Sequence, residues 1–150
     1  MIDKQGLEPS WLPAIRVLVP VVSVLAAVFV LSMIGYMYYG ARKMLFAVQG
    51  DKFVIDAPVY GRTVPRSALK LDQARVGTLG QGADLKPVRR TGGMALGEVK
   101  LGRFRMEDGS DTFMYIHSGG KCLVVPTTEG YTLIMETPQP EQLLASLKTP

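Results

Sequence analysis

The sequence holds a single cysteine, Cys122, and a single histidine, His117. One cysteine excludes an intramolecular disulfide and leaves the redox compartment open. One histidine excludes a histidine cluster for metal. Together they leave zinc-type sites and Cys–His catalysis only the segment HSGGKC, whose glycines read instead as a hairpin turn between two strands. Cys122 lies in the apolar run KCLVVP and reads as a small core residue. Neither GQG nor RRTGG completes a phosphate loop, which needs G-x-x-x-x-G-K-[ST]. Ser67, Ser110 and Ser118 have no histidine–acid partner pattern, so no catalytic residue and no cofactor is assigned. No recognition helix or aromatic RNA-binding motif accompanies the basic residues, which argues against nucleic acid.

Charge is missing altogether from Val17 to Tyr39, a run of 23 residues. As a helix it is about 34 Å long, enough to cross a hydrocarbon core of about 30 Å with some tilt. Trp11 flanks one end and Tyr36, Tyr38 and Tyr39 the other, the aromatic pattern of a spanning helix. Pro20 is expected in the first turns, where a missing N–H costs least. A cleaved signal peptide has a shorter apolar region and a small-residue cleavage site, and this run ends in GYMYYGARK. A soluble core helix apolar all round needs a larger protein about it. The run therefore reads as a retained transmembrane helix over residues 12–40, preceded by a flexible tail over 1–11. Lys4 and Arg16 precede the run, whereas Arg42, Lys43, Lys52, Arg62 and Arg66 follow it, so the positive-inside rule places the C-terminal part in the cytoplasm.

The rest of the charge is lopsided. Residues 40–105 carry 13 Lys and Arg against 5 Asp and Glu, and residues 106–150 carry 2 against 6. The basic half adjoins the apolar run, where cations gain from anionic lipid; a plain solvated basic face is the alternative.

Beyond residue 43 the pattern changes to short strands. Met44–Gln49 and Phe53–Pro58 flank a Gly-Asp turn, a hairpin signal. YGRTVPRSAL suggests a turn and a short edge strand. Leu69–Leu79 reads either as a bulged strand or as one helical turn plus a strand. Gly80–Gly93 is the longest irregular segment. Val99–Met106 and Thr112–Ile116 flank the Asp108-Gly109 turn, and CLVVP and YTLIMET are two further strands. Pro140 opens a final helix with Glu141 in its first turn and Leu143, Leu144 and Leu147 as one apolar stripe. The sum is about seven strands and one helix: a mainly β domain, partly open at one end, with the helix as its plug.

The stretches FAVQGDKFVIDAPVYGRTVPRSALKLDQARV and TTEGYTLIMETPQPEQLLASL resemble the opening and the close of small bacterial pleckstrin-homology-like (PH-like) membrane proteins. The resemblance covers about residues 44–148, within a domain taken as 44–150. It implies a seven-stranded, partly open PH-like barrel capped by one C-terminal helix and preceded by a transmembrane helix. It also implies an adaptor-like, non-enzymatic role with no shared catalytic residues. The first hairpin loop, QGDK, departs from a phosphoinositide pocket because it pairs one Lys with one Asp.

Three groups of residues stand out as candidates. Lys43, Lys86, Arg89 and Arg90, the last three beside Gly92 and Gly93, suit anionic lipid headgroups. Tyr60, Arg62 and Val64 mark an edge that a partner strand can extend, and Pro58 and Pro65 equally suit blocking it. Glu107, Asp108 and Asp111 suit Ca²⁺ only weakly, and solvated turn acids are the plainer reading, so no metal is assigned. The expected role is a membrane-anchored binding or adaptor domain acting through a protein partner, a homo-oligomer or anionic lipid. The alternatives are a specific anionic-lipid sensor, an accessory subunit of a larger membrane complex, or, in another class, a small hydrolase or transferase.

Overall fold

The computed structural model describes residues 12–79 and 85–149; the N-terminal tail expected over 1–11 lies outside the described residues. The chain divides into two units, one ending at Met37 and one beginning at Tyr38.

The first element, α1 (Leu12–Ala41), is long and apolar enough to cross a membrane: its most apolar 18-residue window has a mean hydropathy of 2.8 and no buried residue. Its many valines are modest helix formers in water, but in a helix every backbone group between the two end turns is satisfied internally, which an apolar solvent demands. Pro20 lies inside the helix rather than in its first turn, because the helix starts earlier than the apolar run does. Ser23 donates to the Val19 carbonyl at 2.8 Å, so its hydroxyl is satisfied within the helix.

Among its described residues the second unit has nine strands rather than seven: β1 (Leu45–Gln49), β2 (Lys52–Asp56), β3 (Arg62–Pro65), β4 (Arg75–Thr78), β5 (Pro87–Leu96), β6 (Val99–Met106), β7 (Asp111–Ile116), β8 (Lys121–Pro126) and β9 (Tyr131–Glu136). They form two sheets, β1-β2-β3 and β4-β8-β9-β7-β6-β5, which are not joined into a closed barrel. The three-stranded sheet lies on one face of the larger one. Phe53, Ile55 and Val64 meet Leu101, Tyr115, Leu123, Leu133 and Met135 there, all within 1 % of full burial. The other face buries Phe104, Met114, Ile116, Cys122 and Ile134 with Leu85, which lies between β4 and β5.

Two departures from the sequence reading have clear physical causes. Residues 87–93 are not irregular but belong to β5, the longest strand. Its Pro and Gly residues are absorbed by register shifts after Pro87 and after Arg90. A Cβ on Gly93 would lie 2.1 Å from the Leu101 carbonyl oxygen, so glycine is what lets β5 and β6 approach there. Nor do the strands flanking HSGGK pair as a hairpin. β9 lies between them, parallel to β7 and antiparallel to β8. With Leu133, Ile134 and Met135 at 0–1 % exposure, β9 is apolar on both faces, and a strand of that kind takes the middle of a sheet.

The remaining turns match their local chemistry. Gly50, Gly109 and Gly130 have positive φ in the β1–β2, β6–β7 and β8–β9 turns. Over 69–79 neither a bulged strand nor a helix is observed: a hydrogen-bonded turn from Lys70 to Gln73 leads into β4, and the one helical turn, Arg66–Ala68, comes just before. Helix α2 (Pro140–Lys148) packs on β8 and β1, with Leu147 fully buried and Leu143 and Leu144 partly so. Arg66 donates to the carbonyls of Leu147 (2.6 Å) and Thr149 and thereby caps the end of α2.

Candidate functional site

Along β6 the stripe Val99, Leu101, Arg103, Arg105 shares one face, because strand side chains alternate. Its first half is core and its second half is exposed and basic. Cross-strand register completes the surface. Arg105 sits opposite Arg89 on β5 and Asp111 on β7, while Arg103 sits opposite Gly92 and Phe113. Tyr131 of β9 lies beside Asp111. Arg62, at the start of β3, places its guanidinium 3.7 Å from the Phe113 ring centre and 5.1 Å from that of Tyr131. The two rings meet edge to face at 5.1 Å.

Asp111 is the acid of this cluster. Its Oδ2 accepts from Arg103 at 2.6 Å, and its Oδ1 accepts from Arg105 Nη2 at 3.1 Å. The hydrogen bond from Arg103, then that from Arg105, holds its carboxyl below the usual carboxylate range. One carboxylate thus pairs with two guanidinium groups, those of Arg103 and Arg105, on a face that Arg62 shares through Phe113 and Arg89 through its register with Arg105. Flat forks held by rings and by a shared carboxylate are pre-arranged for oxyanions that accept two parallel N–H donors, either carboxylate or phosphate.

The expected residues fall at separate places. Arg89 joins the arginine face. Arg90, opposite Phe104, is on the reverse side of β5. Lys86 lies 3.8 Å from Glu107 in an exposed pair at the far end of the sheet. Lys43 follows α1, its ammonium 4.5 Å from the Tyr39 ring, as Arg42 donates to the Tyr38 hydroxyl at 2.9 Å. Arg42 and Met44 line a cavity of about 220 Å³ with His117 and Glu136, so the β7–β8 turn lies at the exit of α1. From Ile116 to Asp111 is roughly 17 Å of strand, so Lys43 and Lys86 belong to opposite ends of the sheet. The β3 edge is present, as β3 pairs with β2 alone among the described residues. Val64 points into the core, Arg62 lies on Phe113, and the Tyr60 carbonyl accepts from the Tyr115 hydroxyl at 3.0 Å. The edge therefore offers backbone more than side chains.

Other titratable groups are taken up by structure. Glu136, at the end of β9 and 6 % exposed, accepts from the backbone N–H of His117 (2.7 Å), Ser118 (2.8 Å), Gly119 (3.1 Å) and Gly120 (3.1 Å), and from the Ser118 hydroxyl. Burial pushes its pKa up, but these hydrogen bonds, led by those of Ser118, outweigh it and bring it down to about 2. Burial, and then the Glu136 charge, push the Cys122 thiol up to about 12, so it is held protonated. Asp108 accepts from the Ser110 hydroxyl and N–H, which lowers its pKa. With Asp111 bound to arginines, the acids of EDGSD do not converge, and no group of three metal-ligating side chains occurs among the described residues. Behind this turn a cavity of about 460 Å³ has an apolar floor including Val124 and Ile134 and a rim of mixed sign, with Arg75 and Lys86 against Glu107 and Asp108.

Sequence reasoning missed Arg103, Arg105, Asp111, Phe113 and Tyr131 as one site. The available signal was R-F-R continuing the stripe Val99–Leu101, a face that leaves the core partway along a strand. Comparison with family models, curated proteins and solved structures found no match to this chain.

Proposed function

We propose that this chain is a membrane-anchored binding module whose arginine face docks an acidic segment of a protein partner. Helix α1 acts as the anchor, and the basic residues that follow it favour a cytoplasmic domain. The carrying observation is that Arg62, Arg89, Arg103 and Arg105 share one face, on which Asp111 pairs with Arg103 and Arg105. A binding role rather than an enzymatic one accords with Glu136 and Cys122, whose carboxylate and thiol are committed to the fold. A PH-like relationship belongs to this reading. Its support is the β1–β2 hairpin and the strand, proline and helix at the C-terminus, whereas the central β9 lies outside what that resemblance implies. A second reading, attraction to anionic headgroups, is favoured by Arg42 and Lys43 on their tyrosines at the exit of α1.

The test uses the full chain in neutral-lipid nanodiscs and a fluorescent polyglutamate peptide. Saturable, salt-sensitive binding is expected. Arg103→Ala with Arg105→Ala should weaken it by at least about tenfold, since hydrogen bonds to charged groups contribute about 1.5–3 kcal/mol each. Unchanged binding in the double variant refutes the assignment. Competition by nanodiscs containing anionic lipid would transfer the face to the second reading.

A further inference from the structure

Val59 is a β-branched residue in the left-handed region, at φ +66°, and it is 72 % exposed. The Tyr60 N–H reaches the Pro58 carbonyl at 2.8 Å across it, a three-residue turn of the strained kind. A wet, strained valine gains nothing in an aqueous loop, where glycine or asparagine would suit the same backbone. Its neighbour locates it. Pro58 packs on Gly40 so closely that a Cβ there would lie 2.7 Å from the proline Cγ. Gly40 is in the last turn of α1, beside Tyr39 and two residues before Arg42. Tyrosines bearing cations, Tyr38 with Arg42 and Tyr39 with Lys43, are the side chains that settle at the boundary between acyl chains and headgroups. The Pro58–Tyr60 turn is thus fixed to the protein at that level. Leu45, 65 % exposed at the start of β1, adds apolar surface four residues beyond α1.

We propose that the Pro58–Tyr60 turn is a second membrane contact, with Val59 seated in the lipid interface beside the exit of α1. The bilayer covers the exposed valine, and the strained backbone aims it there. The proposal assumes that α1 spans a bilayer and is independent of the arginine face.

The experiment uses the full chain in phosphatidylcholine vesicles, carrying an environment-sensitive fluorophore on Val59→Cys, with Glu107→Cys at the far end of the sheet as reference. Buried Cys122 stays unlabelled in the folded chain. At position 59 the expected result is blue-shifted emission. Quenching there should be several-fold stronger with a shallow spin-labelled lipid than with iodide, and the ratio should reverse at position 107. Equal iodide quenching at both positions overturns the proposal. So does a blue shift without lipid quenching, which would mean that a second protein copy covers the turn. Unsubstituted chain in bicelles guards against misfolding of the variant. The Val59 methyl resonances should broaden with spin-labelled lipid and survive an aqueous paramagnetic chelate, and the opposite pattern overturns the proposal.

Discussion

Replacing Glu136 by glutamine tests the best-defined polar device in the domain. Its carboxylate carries the turn 117–120 over the end of β9, with Oε2 serving His117, Ser118 and Gly119 and Oε1 serving Gly120 and the Ser118 hydroxyl. Glutamine keeps the shape but turns one acceptor into a donor. The N–H of Gly120 then faces an NH₂ group, and the charge that strengthened every bond is gone. The fall of the pKa from an ordinary 4.5 to about 2 corresponds to at most about 3–4 kcal/mol. Allowing for solvent at the mouth of the turn, we expect Glu136→Gln to cost about 2 kcal/mol at pH 7. The sign follows from linkage. A carboxyl whose folded pKa is depressed stabilises above its unfolded pKa and loses that contribution as pH falls through the folded one. The gap between wild type and variant should therefore be full above pH 5 and close between about pH 4.5 and pH 2. Guanidinium unfolding of the full chain in mild detergent, followed at a series of pH values, measures it. A gap below about 0.5 kcal/mol at pH 7, or one that stays level down to pH 2, would refute the account of this turn.

Asp111→Asn should raise affinity for the polyglutamate peptide, because an internal carboxylate no longer occupies Arg103 and Arg105. Its cost in stability should stay within about 1 kcal/mol, as for exposed pairs, and lower affinity would show that Asp111 positions the arginines instead of competing for them. Leu147→Ala should lose about 2–5 kcal/mol by denaturant unfolding, since Leu147 is fully buried under α2; a loss below 1 would mean that the helix is not a plug. Gly93→Ala should destabilise more than an ordinary surface change, because its Cβ meets the Leu101 carbonyl oxygen, and an unchanged thermal midpoint would contradict the β5–β6 approach. The Cys122 thiol should react with an aromatic disulfide only on unfolding, and rapid reaction of the native chain would contradict its burial.

What was legible in the sequence was what is decided locally. Gly50-Asp51 and Asp108-Gly109 make their turns because positive φ needs glycine, whatever lies around them. The apolar run and the leucine stripe of α2 carry their own period. β5 was hidden because Pro87, Gly92 and Gly93 disqualify a strand on propensity, and only the bulged register with β6 makes them acceptable. The place of β9 was hidden for a different reason. No short-range signal in HSGGK tells a hairpin from a loop that arches over a third strand, and the acceptor that settles it, Glu136, lies sixteen residues or more away. Half of the arginine face was visible as Arg62 and Arg89. Its unity was not, because it arises where four strands meet in register.

The central place of β9 also fixes an order of events. β7 and β8 leave the ribosome before it and cannot pair with each other in the native arrangement, so each waits with an open edge until Tyr131–Glu136 has been made. Those waiting edges carry Phe113, Tyr115, Leu123 and Val125, the kind of surface that joins neighbouring chains. By then α1 has long been synthesised. If the helix has already been delivered to a bilayer, the sheet closes there, on a nascent chain spaced from its neighbours by its own anchor. Interrupting synthesis before β9 would leave an inserted helix trailing two sticky half-sheets, a substrate for membrane-bound proteases rather than a smaller version of the same domain.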